Sequence, residues 1–188
     1  MKTARFLPAQ IWTIAQADAG NAVFIRPEGS DTVLPVYVSE GDIQMLLVEL
    51  THILAPRPMI HELLLSAIEA LRGKLERVEI YGIRGGSYLC RVILLQDGRE
   101  VKLESRPSDI LCLSARIDCP VLVDDTVLAQ NGVPIEKVTT KSGADAVVQE
   151  SPSVQEFLQR ELKAALEREE YERAAQLRDR LGELSRNA

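Results

Sequence analysis

The apolar residues of this chain follow two spacings, and the places where one gives way to the other divide it into elements. Between residues 9 and 38 the spacing is close to two. Gln10 to Ala17, Ala22 to Arg26 and Val33 to Val38 read as strands, parted by turns at Asp18-Ala19-Gly20 and Glu28-Gly29-Ser30-Asp31. At Ser39-Glu40-Gly41-Asp42 the period changes. A serine cap with acids behind it, followed by Ile43, Leu46, Leu47 and Leu50, predicts a helix to about Leu54. Pro56-Arg57-Pro58 ends it. A second helix, Ile60 to Leu71, is expected to bury Leu64, Ala67, Ile68 and Leu71. Period two then returns in Leu75–Ile83, Ser87–Leu95 and Glu100–Glu104, joined by Gly85-Gly86 and Asp97-Gly98, which predicts an antiparallel meander. Pro107 opens a third helix to about Arg116. Pro120-Val121-Leu122-Val123 is a short strand, and Asp124 caps a last helical turn.

The order of elements excludes a βαβ repeat. It predicts an α+β fold in which an antiparallel or mixed sheet packs with helices over residues 1–136. From Lys137 to Ser151 the composition shifts to Thr, Lys, Ser, Gly, Asp and Glu and reads as a linker. Residues 152–188 read as an α-helical hairpin, interrupted at Glu169-Glu170-Tyr171. One stripe is Phe157, Leu158, Leu162, Ala165 and Leu166, and the other is Ala174, Leu177, Leu181 and Leu184. A hairpin this small buries too little to stand alone, so it is expected to pack on a second hairpin or on the main domain.

Composition narrows the class. At 46% apolar residues in 188, a substantial core can be buried. No run approaches the roughly 18–20 apolar residues that span a bilayer, and the N-terminus reads as a strand and not as a signal peptide, so a cytoplasmic protein without membrane contact is expected. Cys90, Cys112 and Cys119 have no metal-ligand spacing and sit in apolar elements, which points to buried small hydrophobes in a reducing compartment. The net charge is −6, and residues 1–136 hold 13 basic against 18 acidic side chains. Such a chain does not hold nucleic acid by bulk electrostatics and would need a local arginine patch or a divalent cation. Its few aromatic residues are too scattered to form a base-stacking platform.

Two short segments carry candidate chemistry. Arg57-Pro58-Met59-Ile60-His61-Glu62-Leu63 and Glu104-Ser105-Arg106-Pro107-Ser108-Asp109 each set an Arg-Pro pair and a carboxylate around a predicted helix start. Proline suits that position because its φ is already helical and its missing N–H costs nothing there. Arginines and a histidine at helix N-termini suggest phosphate chemistry.

These segments, with Leu34-Pro35-Val36-Tyr37-Val38 before them and Gly86-Ser87-Tyr88 between them, resemble the bifunctional nuclease domain family across roughly residues 8 to 135. The resemblance implies a compact α+β fold that self-associates and acts on RNA and DNA. The tail core, Glu170-Tyr171-Glu172-Arg173-Ala174-Ala175-Gln176-Leu177-Arg178-Asp179-Arg180-Leu181, resembles the UVR motif, a hairpin that pairs with a similar hairpin between excision-repair subunits. Two departures stand out. The family's His-Asp-Leu is His61-Glu62-Leu63 here, and Glu104 replaces an aspartate, so both carboxylates reach one methylene further.

The chemical reading assigns His61, Glu62 and Asp109 to catalysis, with His61 as general base. Arg57 and Arg106 are expected to clamp phosphate oxygens. Glu62, Glu104 and Asp109 are expected to share Mg2+ or Mn2+. The competing reading is structural: the arginines pair with Asp109 or Glu62 and lock the helix starts, as an ion network that specifies the fold without catalysing anything. The functional alternatives are thus a nuclease whose tail contacts a protein partner or a second copy, and a non-catalytic adaptor or regulatory oligomerisation protein acting through that tail. Homo-oligomerisation is expected under either.

Overall fold

A computed structural model describes residues 5–17, 20–52, 57–139, 149–150 and 154–187. The strands are β1 (Phe6–Ala17), β2 (Gly20–Pro27), β3 (Thr32–Tyr37), β4 (Gly73–Arg84), β5 (Ser87–Gln96), β6 (Arg99–Ser105), β7 (Val121–Asp124), β8 (Val133–Pro134) and β9 (Gln149–Glu150). The helices are α1 (Glu40–Thr51), α2 (Ile60–Ala70), α3 (Pro107–Ile117), α4 (Asp125–Asn131), α5 (Ile135–Thr139), α6 (Val154–Glu167) and α7 (Tyr171–Asn187). The sheet runs β6-β5-β4-β7-β1-β2-β3-β8, antiparallel except where β4 meets β7, and β9 pairs with the second half of β1. The fold is α+β with a mixed sheet and a C-terminal hairpin.

Local chemistry explains most boundaries. Ser39 caps α1 as half of a capping box, its hydroxyl accepting from the Asp42 N–H at 3.1 Å while Asp42 Oδ2 accepts from the Ser39 N–H at 3.2 Å. Asp124 caps α4 through Thr126 N at 2.8 Å. Asp97 and Gly98, both at positive φ, close the tight β5–β6 hairpin. Pro107 stands at the first position of α3, as its chemistry predicts. Pro58 does not open α2: Met59 is the N-cap, so the proline sits one residue further out.

The core lies between the sheet and α1 and α3. Val23, Ile25, Val78, Ile80 and Val121 from the sheet meet Leu46 of α1 and Ile110, Leu111, Cys112 and Leu113 of α3. The alternate residues of β2, Ala22 and Phe24, point the other way into a smaller core with Val33, Trp12 and Ile135. Strand β2 is therefore buried on both faces. The three cysteines are buried thiols, and burial pushes Cys90 and Cys112 up to about 12 and Cys119 to about 11.

Two expectations change, and for the hairpin one of two alternatives is selected. Helix α2 turns the other way: Leu64, Ala67 and Leu71 are exposed, Leu71 at 70%, while Leu65 packs on the core and His61 is buried. The helix lies at the margin of the core, and its polar first turn is claimed by buried charges, so the wider apolar stripe is left outside. The linker expectation for residues 137–151 holds no extended coil at its ends, since 137–139 belong to α5 and Gln149–Glu150 join the sheet; residues 140–148 and 151 lie outside the described residues. The hairpin packs on the main domain. Leu158, Ala165, Ala174 and Leu177 bury one another, and Phe157, 6% exposed, seats against Ile43 and Leu47 of α1. Leu184 lies outside the described side chains.

Truncating Phe157 removes the anchor of the hairpin and opens a cavity over α1. Phe157→Ala should cost about 3 kcal/mol in denaturant unfolding and speed proteolysis of the tail. An unchanged midpoint would show that the hairpin is not seated there in solution. Ser39→Ala should cost about 1 kcal/mol in the same measurement.

Candidate active site

Helices α1 and α3 lie side by side and run in the same direction. Near their starts, Asp42 of α1 sits in the field of Arg106, the N-cap of α3. At their far ends, Glu49 of α1 faces Arg116 of α3, with Nε and Oε2 3.7 Å apart. The first turn of α2 is set against these far ends.

That second meeting point is a buried four-residue network. Glu49 is 1% exposed and His61 is 7% exposed. His61 Nδ1 and Glu49 Oε1 are 3.0 Å apart, so with the ring proton on Nδ1 the imidazole donates to the carboxylate. Glu62 accepts from the Met59 N–H at 2.9 Å through Oε2, closing the first turn of α2, and pairs with Arg116 through Oε1. One arginine thus serves two carboxylates from two different helices. Among the described residues Glu49 Oε2 has no hydrogen-bond partner, and the Arg116 guanidinium is the charge beside it. Burial of an ionised carboxylate is costly unless paired, which is why Arg116 reaches this far.

The other expected residues stand elsewhere. Arg106 holds Asp109 with two bonds, 3.0 Å from Nε and 2.8 Å from Nη2, on the surface. Asp109 and Arg116 are seven residues apart on one helix, or about 10 Å along its axis. Glu104 is on β6, where it accepts from the Tyr81 hydroxyl at 2.6 Å. That bond raises the Tyr81 pKa, since the phenol proton is held by a carboxylate. Arg91 stacks 4.5 Å over the Tyr81 ring and reaches Glu79 at 2.6 Å, and Arg77 joins Glu79 to Glu100. Arg57 is exposed and has no ion pair among the described residues.

The six expected residues therefore occupy separate places: His61 and Glu62 in the buried network, Arg106 and Asp109 at the exposed start of α3, Glu104 on the sheet, Arg57 ahead of α2. Glu62, Glu104 and Asp109, expected to share a divalent ion, stand apart in this structure. Each of these carboxylates has its own partner on a different element, and among the described residues no group of three or more His, Cys, Asp or Glu side chains is placed to hold an ion. The donor set does not fit a shared Mg2+ or Mn2+. The structural expectation, that arginines pair with Asp109 or Glu62 and lock the helix starts, is met by Arg106 at Asp109, and at Glu62 by Arg116 in place of Arg57 or Arg106.

Two members of the network, Glu49 and Arg116, escape a motif search. A signal was present: Glu49 is the sole charge in α1 after Asp42, and Arg116 is the sole charge in α3 after Asp109. A lone charge on an apolar helix that must be buried calls for an opposite one.

The fold and the site define an α+β domain with buried acid–base groups at a helix junction and a helical hairpin appended. Residues 23–136 match the Bifunctional nuclease domain, and residues 153–187 match the UvrB/UvrC motif. The first match takes in more than half of the chain, and the chain belongs to the bifunctional nuclease domain family. An uncharacterized protein of Mycobacterium tuberculosis is 28% identical over 137 residues, 72% of this chain and 82% of its own. Bifunctional nuclease 1 of Oryza sativa subsp. indica is 29% identical over 178 residues, 86% of this chain and 54% of its own. Bifunctional nuclease 1 of Arabidopsis thaliana is 23% identical over 180 residues, at 86% and 55%. The chain spans about half the length of these plant relatives. Among the described residues no helix is long and apolar enough to cross a membrane.

Arg116→Ala leaves two carboxylates without their cation and should cost about 3 kcal/mol or more in denaturant unfolding. A loss below 1 kcal/mol would mean that the network is solvated. At the other end of α1, the Ser39 hydroxyl, donating to Asp42 at 2.7 Å, holds the Asp42 carboxyl below its ordinary 3.8. Its folded value being depressed, its stabilisation is complete above the ordinary value and lost as pH falls through the folded one. Asp42→Asn should therefore lower stability at pH 7 and flatten the acid limb of a stability–pH curve.

Proposed function

We propose that this protein is a nuclease that hydrolyses phosphodiester bonds in RNA, DNA or both, with His61 moving the proton. The observation that carries this reading is the domain match over residues 23–136, within which His61 is held by the buried Glu49 carboxylate. A histidine whose Nδ1–H is tied to a carboxylate presents an unprotonated Nε2, the form that takes a proton from an attacking hydroxyl or water. Arg106, with a largely exposed guanidinium oriented by Asp109, stands about 15 Å from the His61 end of α3, so it would meet another phosphate of the bound strand and not the one being cleaved. Glu62 positions the first turn of α2 and is occupied by Met59 and Arg116, so its role is structural. No step is assigned to a divalent ion, because the carboxylates expected to hold one do not meet. The UVR-like hairpin serves contact with a protein partner.

One observation favours the second reading, a non-catalytic adaptor. His61 and Glu49 are nearly closed to solvent, and a buried acid–base pair between helices is also what a structural lock looks like.

Cleavage of single-stranded RNA and DNA by purified protein separates the two, run with Mg2+, Mn2+ or chelator. Activity should fall at least about a hundredfold in His61→Ala and clearly in Arg106→Ala, with both variants folded by circular dichroism. Activity that survives in both would move the chemistry elsewhere in the chain. Absence of cleavage under every condition would leave the adaptor.

A further inference from the structure

Strand β3 is buried from Val33 to Val36, and its last residue, Tyr37, comes out into solvent, 52% exposed. The fold gathers other groups around this ring. Tyr88 of β5 donates its hydroxyl to the Pro35 carbonyl at 2.9 Å, from 53 positions further along the chain, so it stands against the end of β3. Burial first, and then the neighbouring Tyr37, push the Tyr88 hydroxyl up to about 12, which marks the two phenols as neighbours. Both belong to the end of the domain where α1 and α3 begin. Tyr37 lies two residues before Ser39, the N-cap of α1, and Asp42 in the first turn of that helix is in the field of Arg106. Tyr88 reaches the same place from the sheet, two residues before Cys90, which pairs with Ser105, the neighbour of Arg106. The Arg106 side chain is 70% exposed, and Asp109 fixes its plane with two bonds. Aromatic residues that look too scattered in the sequence to stack bases are thus brought together, at this one place, beside a guanidinium.

We infer that Tyr37 is a base-stacking subsite for single-stranded nucleic acid, one unpaired base lying on its ring while Arg106 meets a phosphate of the same strand. Charge and shape select this occupant. Arg106 is already answered by Asp109, with Asp42 nearby, in a chain of net charge −6, so a polyanion is not held here by charge alone. The two carboxylates do not turn outward: Asp42 is held by the Ser39 hydroxyl at 2.7 Å and Asp109 by Arg106. Stacking is the interaction that remains, since an aromatic face binds a base without any net charge and contributes more than an exposed ion pair. A flat phenol beside a flat guanidinium matches the two parts of a nucleotide, base and phosphate. Bases inside a duplex have both faces covered by their neighbours, so this ring takes only a base that is unstacked, and the subsite selects single strands. The inference rests on the nuclease reading for its place on the substrate. The subsite lies at the far end of α3 from His61, about 15 Å along the axis, so the stacked base belongs to a nucleotide beyond the one cleaved. Tyr37 is therefore a binding residue that holds the strand, with no part in moving protons.

The test is binding by the full chain, read from the fluorescence anisotropy of a short labelled oligodeoxythymidylate in chelator, with the strand checked intact on a gel. Tyr37→Leu should weaken binding about tenfold, and Tyr37→Trp should keep it, because a larger ring still stacks. An abasic strand of equal length should bind the unmutated protein no more tightly than the intact strand binds Tyr37→Leu, and Tyr37→Leu should not weaken it further. A blunt duplex should bind more weakly and be indifferent to Tyr37→Leu. The logarithm of the affinity should fall against the logarithm of salt concentration with a shallow slope, about −0.7 for the one phosphate held, and Arg106→Ala should flatten it. Circular dichroism checks the fold of each variant. Binding indifferent to Tyr37→Leu overturns the subsite, as does an equal loss in Tyr37→Trp, an abasic strand held as tightly as the intact one, or no binding of single strands at all. The two readings fail separately. Binding that depends on Tyr37 without any cleavage would remove the nuclease reading and leave the subsite, whereas cleavage with binding indifferent to Tyr37 would remove the subsite alone.

Discussion

The charge of Arg116 holds three helices in register. It lies in the last turn of α3, beside Glu49 of α1, and closes on Glu62 of α2, so each helix contributes one member of a single ion network. Glu49 is a carboxylate only 1% exposed, and among the described residues its second oxygen has no hydrogen-bond partner, so the nearby cation offsets the cost of its burial. The geometry is therefore tightly constrained: α2 can start only where Glu62 reaches Arg116 and His61 reaches Glu49. Much of what is unusual about α2 follows, including its buried polar first turn and its exposed leucines.

The rest of the architecture is built around β2 and α3, the two elements buried almost all round. Val23 and Ile25 face one core, Ala22 and Phe24 the other, so a strand in mid-sheet separates two packed layers. Helix α3 is apolar from Ile110 to Leu113 because the sheet, α1 and α2 all meet it. The hairpin is added through Phe157 on α1, on Ile43 and Leu47, one turn from the capping box. Its attachment is apolar, whereas the attachment of α2 is ionic.

These constraints bear on chemistry. The same carboxylate that satisfies the buried histidine also orients its imidazole, and the same arginine that permits a buried acid keeps Glu62 from other work. Arg106 and Asp109, by contrast, are paired in the open at the start of α3, where solvent and ligands have access. The domain thus separates a dry acid–base pair from an exposed guanidinium, at opposite ends of two parallel helices.

Period and cap chemistry made most elements legible from the amino-acid sequence alone. Alternation marked β2 to β6, Ser39 and Asp124 marked helix starts, Asp97-Gly98 marked a hairpin, and the Ala-Ala-x-Leu-Arg-Asp run marked the tail. Such signals are local, set by a residue's own dihedral preferences and its neighbours within four positions. The site was legible only in part. His61 and Glu62 were recognisable as chemistry, but their partners, Glu49 and Arg116, come from 12 and 54 positions away along the chain. Nor did periodicity reveal which stripe of α2 faces inward, since an apolar stripe and a buried ion network competed for that side. The tertiary structure decided both, because burial makes an unpaired charge more costly than several exposed leucines, and only the assembled fold establishes which groups are buried together.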